Sequence, residues 1–340
     1  MKAHGNKTVV TDNQSILIVG VGSIGERHLR CFLFTNRVRA SFCEVNPVLR
    51  KAIAGRYPAA KAFDYFESAL NEGPKAAVIC TSAQLHIPLA LKAAKRGLHL
   101  LIEKPLSTTL DDVVALQREV TERKLTTAVA YVYRAHPALS AMREAIVSGR
   151  FGQPVQIIGM FGQNFPFYRP GYRDTYYGDH AMGGGAVQDA LTHVINMAEW
   201  IVGPVTSLVA DAAHQLLDGV QVEDTVHVIT RHGNVLGSYS LNQHQAPNEG
   251  LLTIICEKGS VRFETHQHRW MWQTDPAGTW QVESATKVER DTMFIRQAEH
   301  FLDAMEGLRS PACSLDEGIQ TLRVNLKILS SIDEHRWQTV

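Results

Sequence analysis

The run SILIVGVGSIGERHLRCFL, residues 15–33, constrains the fold more than any other stretch of this chain. It opens with four continuous apolar residues, 16–19, the pattern of a strand buried on both faces. It then breaks at Gly20, Gly22 and Gly25 and resumes with apolar residues at helical spacing. Strand, tight turn and helix are followed by a second strand-like run, RASFCEV. In that context G-x-G-x-x-G reads as a nucleotide-binding turn rather than a chance spacing.

The residue types follow from the task. The first glycine permits the turn, the second lets a pyrophosphate approach the backbone, and the third lets helix and strand pack closely. Free amides at the helix start, around Ser23 and Ile24, are then available to the phosphates. Glu44 ends the second strand 19 residues beyond Gly25, near the spacing of about 20 at which an acid accepts hydrogen bonds from the adenosine ribose. Its charge would repel a 2′-phosphate, which favours NAD. Arg50 lies close enough in sequence to keep NADP open.

The alternation continues. KAAVICTS reads as a strand, QLHIPLALKAAKRG as a helix stopped by Gly97, LHLLIEKPL as a strand, and residues 110–124 as a helix. Such alternation specifies a doubly wound parallel sheet. Ligands of such sheets sit beyond the carboxyl ends of the strands, so Thr81, Ser82, Glu103, Lys104 and Pro105 are expected to border the cofactor.

A chain of 340 residues with 45% hydrophobic content suits two domains and a cleft between them. We place the boundary so that residues 14–133 bind the nucleotide and residues 134–340 the substrate. Lys plus Arg and Asp plus Glu balance at 34 each, so no broad basic field exists to hold nucleic acid or an anionic membrane. The opening MKAHGNKTVVTDNQS lacks the apolar core of a leader, and no apolar run is long enough to span a bilayer; a cytoplasmic protein is expected. Five cysteines without a C-x-x-C pair read as structural thiols.

From about residue 155 short β-rich runs replace the alternation: VQIIGMF, VTSLVADAA, DTVHVITRH, VLGSYSL, LLTIICE and SVRFE. They predict one large, mostly antiparallel open sheet, so both halves are α/β. FIRQAEHFLDAME and SLDEGIQTLRVNLKILSSI read as amphipathic structural helices. Between the first two runs, GGGAVQDALTH, residues 183–193, enters a helix closed by Gly203 and Pro204. Asp189 and His193 stand at i and i+4 on that helix and share a face. No third ligand or H-E-x-x-H accompanies them, so no metal is expected. On an unremarkable helix the pair reads first as a core histidine satisfied by an acid, and second as a proton-transfer pair. Next to a nucleotide site the second reading gains weight, because a dehydrogenase needs a group to take the hydroxyl proton as hydride leaves carbon. The glycines would let cofactor or substrate approach the helix start.

The motifs GVGSIGERH, CTSAQLH, IEKPL, YRAHPAL and GGGAVQDALTH, in that order, resemble the glucose-fructose oxidoreductase and inositol dehydrogenase superfamily, the Gfo/Idh/MocA family, across nearly the whole chain. The resemblance implies an N-terminal Rossmann domain, a C-terminal α/β domain that packs into homodimers or homotetramers through its sheet, and sugar-like substrates. It implies that Lys104 bonds the reacting oxygen, His193 acts as acid or base, and Asp189 binds substrate or orients the histidine, while Gln84 and His86 belong to the cofactor loop. Arg169, Tyr172, Arg173 and Tyr176 would line substrate or pack against a neighbouring subunit, and Arg134 and His136 carry the same two readings. Two positions depart from the family pattern: Asn196 stands where Asp is frequent, and Gln84 where Asn is. NAD-dependent oxidation of a secondary alcohol is the leading expectation. An NAD-retaining glycoside hydrolase and a non-catalytic NAD or sugar sensor are the alternatives.

Overall fold

The computed structural model describes residues 14–285 and 288–340; most of the opening segment discussed above lies outside them. Six strands, β1 (Gln14–Val19), β2 (Val38–Cys43), β3 (Lys61–Phe63), β4 (Ala76–Ile79), β5 (His99–Ile102) and β6 (Thr127–Val129), form a parallel sheet in the order β3-β2-β1-β4-β5-β6. The order reverses between β1 and β4, which opens a crevice at their carboxyl ends. β1 earns its central place by composition: Ile16, Leu17 and Ile18 are fully buried, as a strand covered by helices on both faces requires. β3 and β6 are three residues each, too short to announce themselves in the apolar pattern.

The second sheet has nine strands: β7 (Pro154–Asn164), β8 (Ser207–Ala213), β9 (Thr225–His232), β10 (Val235–Asn242), β11 (His244–Cys256), β12 (Gly259–Glu264), β13 (Arg269–Gln273), β14 (Gln281–Ala285) and β15 (Gln338–Thr339). Their order is β14-β13-β12-β11-β7-β10-β9-β8-β15. β7 and β10 pair in parallel and every other pair is antiparallel. One face carries the core: Ile157, Tyr239, Leu252 and Ile254 pack against Leu139, Met142, Val194 and Met197 of the helices Pro137–Val147 and Thr192–Val202. On the other face Val155, Ile158, Met160, Ile229 and Leu236 are exposed.

The last two helices join the halves. Ala298, Phe301 and Leu302 of Thr292–Met305 pack with Ile16, Leu29 and Phe32 of the first sheet and its helix. The helix Leu315–Glu334 starts with a Ser314–Glu317 capping box. Its Leu315, Ile319 and Leu322 lie in the first core and its Val324 and Ile328 in the second. This shared chain end holds the two sheets with a cleft between them.

All five cysteines are buried and unpaired. Burial pushes the Cys31 and Cys313 thiols up to about 12, so they behave as small apolar groups. Among the described residues no helix is long and apolar enough to cross a membrane.

Candidate active site

The glycine turn lies at the carboxyl end of β1. Gly20 has φ +81° and would meet the Cys80 carbonyl with a Cβ, and a Cβ on Gly25 would lie 1.9 Å from the Gly20 oxygen. Gly22, by contrast, faces open space, with nothing within 4 Å of a built Cβ. It is the N-cap of the helix Ser23–Phe34 and no side chain caps that helix. Open space in front of uncapped amides suits a pyrophosphate. Glu44 leans into the same turn, where the Val21 N–H donates to its Oε2 at 3.0 Å. Arg50 Nη1 donates to the Glu44 and Val45 carbonyl oxygens.

A cleft of about 720 Å³ lies between the sheets. Ile24, Arg27, Glu103 and Lys104 line it from the first half, and Asp189, His193, Arg169 and Gln163 from the second. Lys104 Nζ donates to the Asp189 carbonyl oxygen at 2.8 Å and to its Oδ1 at 3.0 Å. The Tyr176 hydroxyl donates to the same Oδ1 at 2.7 Å. Burial alone would lower the Lys104 pKa, but the Asp189 carboxylate more than offsets it, and the ammonium is held above its ordinary value. Burial likewise opposes the charged form of Asp189, yet Lys104 holds it down at about 2. Both charges therefore persist at neutral pH.

His193 is different. Burial first, and then the Lys104 charge, depress it to about 3, so the imidazole is neutral at ordinary pH. The rings of Tyr131 and Tyr133 stand edge-on to it, 6.0 and 5.5 Å away. Its Nδ1 is buried with no partner among the described residues.

Asp189 and His193 do not share one regular helix. Residues Val187–Leu191 form a π-helical turn, and the α-helix begins at Thr192. Such single turns re-aim side chains and recur at functional sites. The turn is pinned by Glu223, whose Oε1 accepts the Val187 N–H at 2.8 Å while Oε2 pairs with His180 Nε2 at 2.5 Å.

Two family models match in succession: an oxidoreductase family with an NAD-binding Rossmann fold over residues 14–131, and the GFO/IDH/MocA C-terminal domain over residues 139–262. The chain belongs to the GFO/IDH/MocA family. Levoglucosan dehydrogenase of Pseudarthrobacter phenanthrenivorans is 25% identical over 96% of this chain and 98% of its own length. Inositol 2-dehydrogenase of Rhizobium meliloti is 27% identical over 59% of this chain and 58% of its own. The structure of levoglucosan dehydrogenase in complex with NADH and levoglucosan superposes with a TM-score of 0.88 at 22% identity, covering 96% of this chain and 99% of that one. The WlbA dehydrogenase from Bordetella pertussis, in complex with NADH and UDP-GlcNAcA, gives 0.82 at 24% identity, covering 97% and 99%. At these identities the structural likeness is one of fold.

Within this family member the residues singled out from sequence separate into two groups. Lys104, Asp189, His193, Glu103, Arg169 and Ile24 line the cleft, and Tyr176 reaches Asp189. Glu103 is occupied: its Oε1 lies 2.7 Å from His28 Nε2 and its Oε2 accepts the Lys104 N–H at 2.9 Å, so it fixes the lysine's backbone. The others face elsewhere. His86 is buried between the Pro105 and Thr81 carbonyl oxygens, each 2.9 Å from a ring nitrogen, and clamps two loops together. Thr81 supplies one of those carbonyls, Ser82 precedes the turn, and Gln84 is exposed.

Arg134 is absent from the cleft wall; its Nε donates to Asn196 and its Nη1 to the Ala312 carbonyl and Glu317. That network also explains Asn196, whose amide donates to Thr321. His136 stacks behind His268, and only the latter lines the cleft. Tyr172 and Arg173 reach away to the Asp218 carbonyl, at 2.5 and 2.9 Å. Sequence reasoning missed Tyr131, Tyr133, Glu223, Gln163, Gln243 and His268. Tyr131 and Tyr133 lie just beyond β6, and the end of a parallel strand is the signal they carry.

The glycines of residues 183–185 serve the protein itself. A Cβ on Gly184 would lie 2.2 Å from the Tyr177 oxygen, one on Gly185 2.6 Å from Glu223, and one on Gly183 2.9 Å from Ala83. The expectation that they admit a ligand is therefore corrected: their neighbours are the chain's own backbone and side chains. Among the described residues no cluster of three potential metal ligands occurs.

Proposed function

We propose that this oxidoreductase moves a hydride between NAD and a secondary alcohol, or the matching ketone, of a sugar, cyclitol or sugar derivative. The observation that carries this reading is a cationic lysine and a neutral imidazole lining one cleft, with Ile24 from the start of the helix after the glycine turn on the same wall. Gly20, Gly22, Ser23, Ile24 and Gly25 would hold the pyrophosphate of NAD, with Glu44 on the ribose, Thr81, Ser82 and Gln84 along the strand ends, and His86 supporting them from below. The Glu44 carboxylate at the glycine turn favours NAD over NADP.

Bound NAD supplies the acceptor for the hydride. The chain's part is to manage the proton and the charge. His193, neutral at working pH, takes the hydroxyl proton of the substrate, and the Lys104 ammonium bonds the same oxygen and stabilises the negative charge that builds on it. Asp189 fixes Lys104 and keeps it charged. Arg169 and Tyr176 complete the rim on the substrate side. The relatives named above act on anhydrosugars and inositols, which supports a polyhydroxylated substrate. NADH absorbance should appear when purified protein meets NAD and one member of a panel of inositols, hexoses, anhydrosugars and uronates. NAD binding without turnover on any of them would sink the reading.

The exposed apolar face of the second sheet supports a homodimer or homotetramer formed through that sheet. Light scattering of the protein and of Ile158→Lys tests it: a monomeric wild type contradicts this assembly.

A further inference from the structure

The inner face of β10 runs on past the core. Val235, Tyr239 and Leu241 are buried at period two, and the next position on that face is Gln243. This residue is 2% exposed and lines the cleft, and neither its Nε2 nor its Oε1 has a partner among the described residues. The backbone here is held on both sides: the Gln243 N–H donates to the Asp224 oxygen at 2.9 Å, and its carbonyl accepts the Phe165 N–H at 2.8 Å. On β7, in parallel register through Asn242 and Gly162, Gln163 comes next and faces the same cleft. An amide buried without partners is destabilising, and a leucine of similar volume would remove the cost. The fold itself therefore does not ask for glutamine at this position.

We infer that Gln243 is a specificity-determining residue that reads two neighbouring hydroxyls of the substrate, donating to one oxygen and accepting from the other hydroxyl. The ligand class is a polyhydroxylated ring with a vicinal diol away from the carbon held by Lys104 and His193. This rests on the reading of the cleft as a sugar or cyclitol site. Gln163, on the adjacent strand, offers a second carboxamide to the same ring.

The test compares wild type with Gln243→Leu on the panel's best substrate and on its monodeoxy analogues. Wild type is expected to lose about 100-fold in kcat/KM on one or two analogues, because a site built to bond a hydroxyl rejects the compound lacking it. Gln243→Leu should show a similar loss on the parent compound and no further loss on those analogues. Losses that simply multiply would overturn the assignment. Gln243→Met, a second apolar replacement, should behave as Gln243→Leu does.

Thermal unfolding of the unliganded protein answers independently of turnover. Gln243→Leu should melt at or above wild type; a melting point lower by several degrees would mean that the amide is satisfied inside the fold, and would overturn the inference. Should wild type turn over nothing while Gln243→Leu melts higher, the reaction class fails and the ligand-reading amide stands.

Discussion

Two glycine-rich loops, one in each half of the molecule, use the residue for opposite reasons. In the first, Gly25 and Gly20 are forced by backbone crowding, but Gly22 looks onto nothing within 4 Å. In the second, Gly184 is wedged 2.2 Å, at its absent Cβ, from a carbonyl oxygen, and Gly185 is wedged against Glu223. The first loop leaves space for something outside the chain. The second is filled by the chain, and its glycines let residues 183–185 thread close enough for the π-helical turn to aim Asp189 at Lys104. A glycine run in a sequence thus marks close approach, and only the structure tells whether the visitor is a ligand or the protein.

The Lys104–Asp189 pair ties the first half to the second across the cleft, so breaking it should have the largest effect. Lys104→Ala removes the donor to the reacting oxygen and strands a buried carboxylate. A loss of about 10³ in kcat, about 4 kcal/mol, is expected, with NADH affinity nearly retained. A kcat within tenfold of wild type would remove Lys104 from the chemistry.

The loops themselves can be set against each other. Gly184→Ala places a methyl group on a backbone oxygen that cannot swing aside, so it should cost about 3 kcal/mol of stability, read as a lowered denaturant midpoint. Gly22→Ala meets open space in the unliganded protein and should unfold like wild type, while weakening NADH binding about 30-fold, close to 2 kcal/mol. Equal destabilisation by both variants would erase the contrast.

How much of this was legible in the sequence follows from the range of the interactions. The parallel sheet and the glycine turn are local: an apolar strand, a turn and a helix lie within residues 15–33, and period alone reveals them. Lys104, Asp189 and His193 were legible because their motifs sit at the ends of local elements. Arg134 was legible only as a residue of interest. Its partners lie 62, 178 and 183 residues away, and nothing local indicates that they hold it. Glu223 is hidden for the same reason, since it holds Val187 from 36 residues beyond. The split of the loop at residues 168–176, with Arg169 facing the cleft and Tyr172 packed with Phe165, Tyr177 and Leu217, depends on a small satellite core that no periodicity in so short a segment discloses.

The smallest predicted effect separates the loops by protonation. His193, beyond the second loop, is depressed to about 3 mainly by burial, and His136 and His300 to about 4 by the same cause. Each lies below the ordinary value of about 6.5 that applies to the unfolded chain. As pH falls, the unfolded chain binds these protons first, so the stability they contribute is complete above about pH 6.5 and is lost as pH drops toward the folded values. Denaturant midpoints should therefore be level with respect to these groups above that pH and decline below it. Each histidine accounts for a slope of at most about 1.4 kcal/mol per pH unit. His193→Gln should flatten the decline by one such share, whereas Gly22→Ala, which touches no titrating group, should leave the slope as it is. A decline unchanged in His193→Gln would mean that this imidazole is already protonated in the folded protein near pH 6, and a neutral proton acceptor beside Lys104 would then be lost from the proposed chemistry.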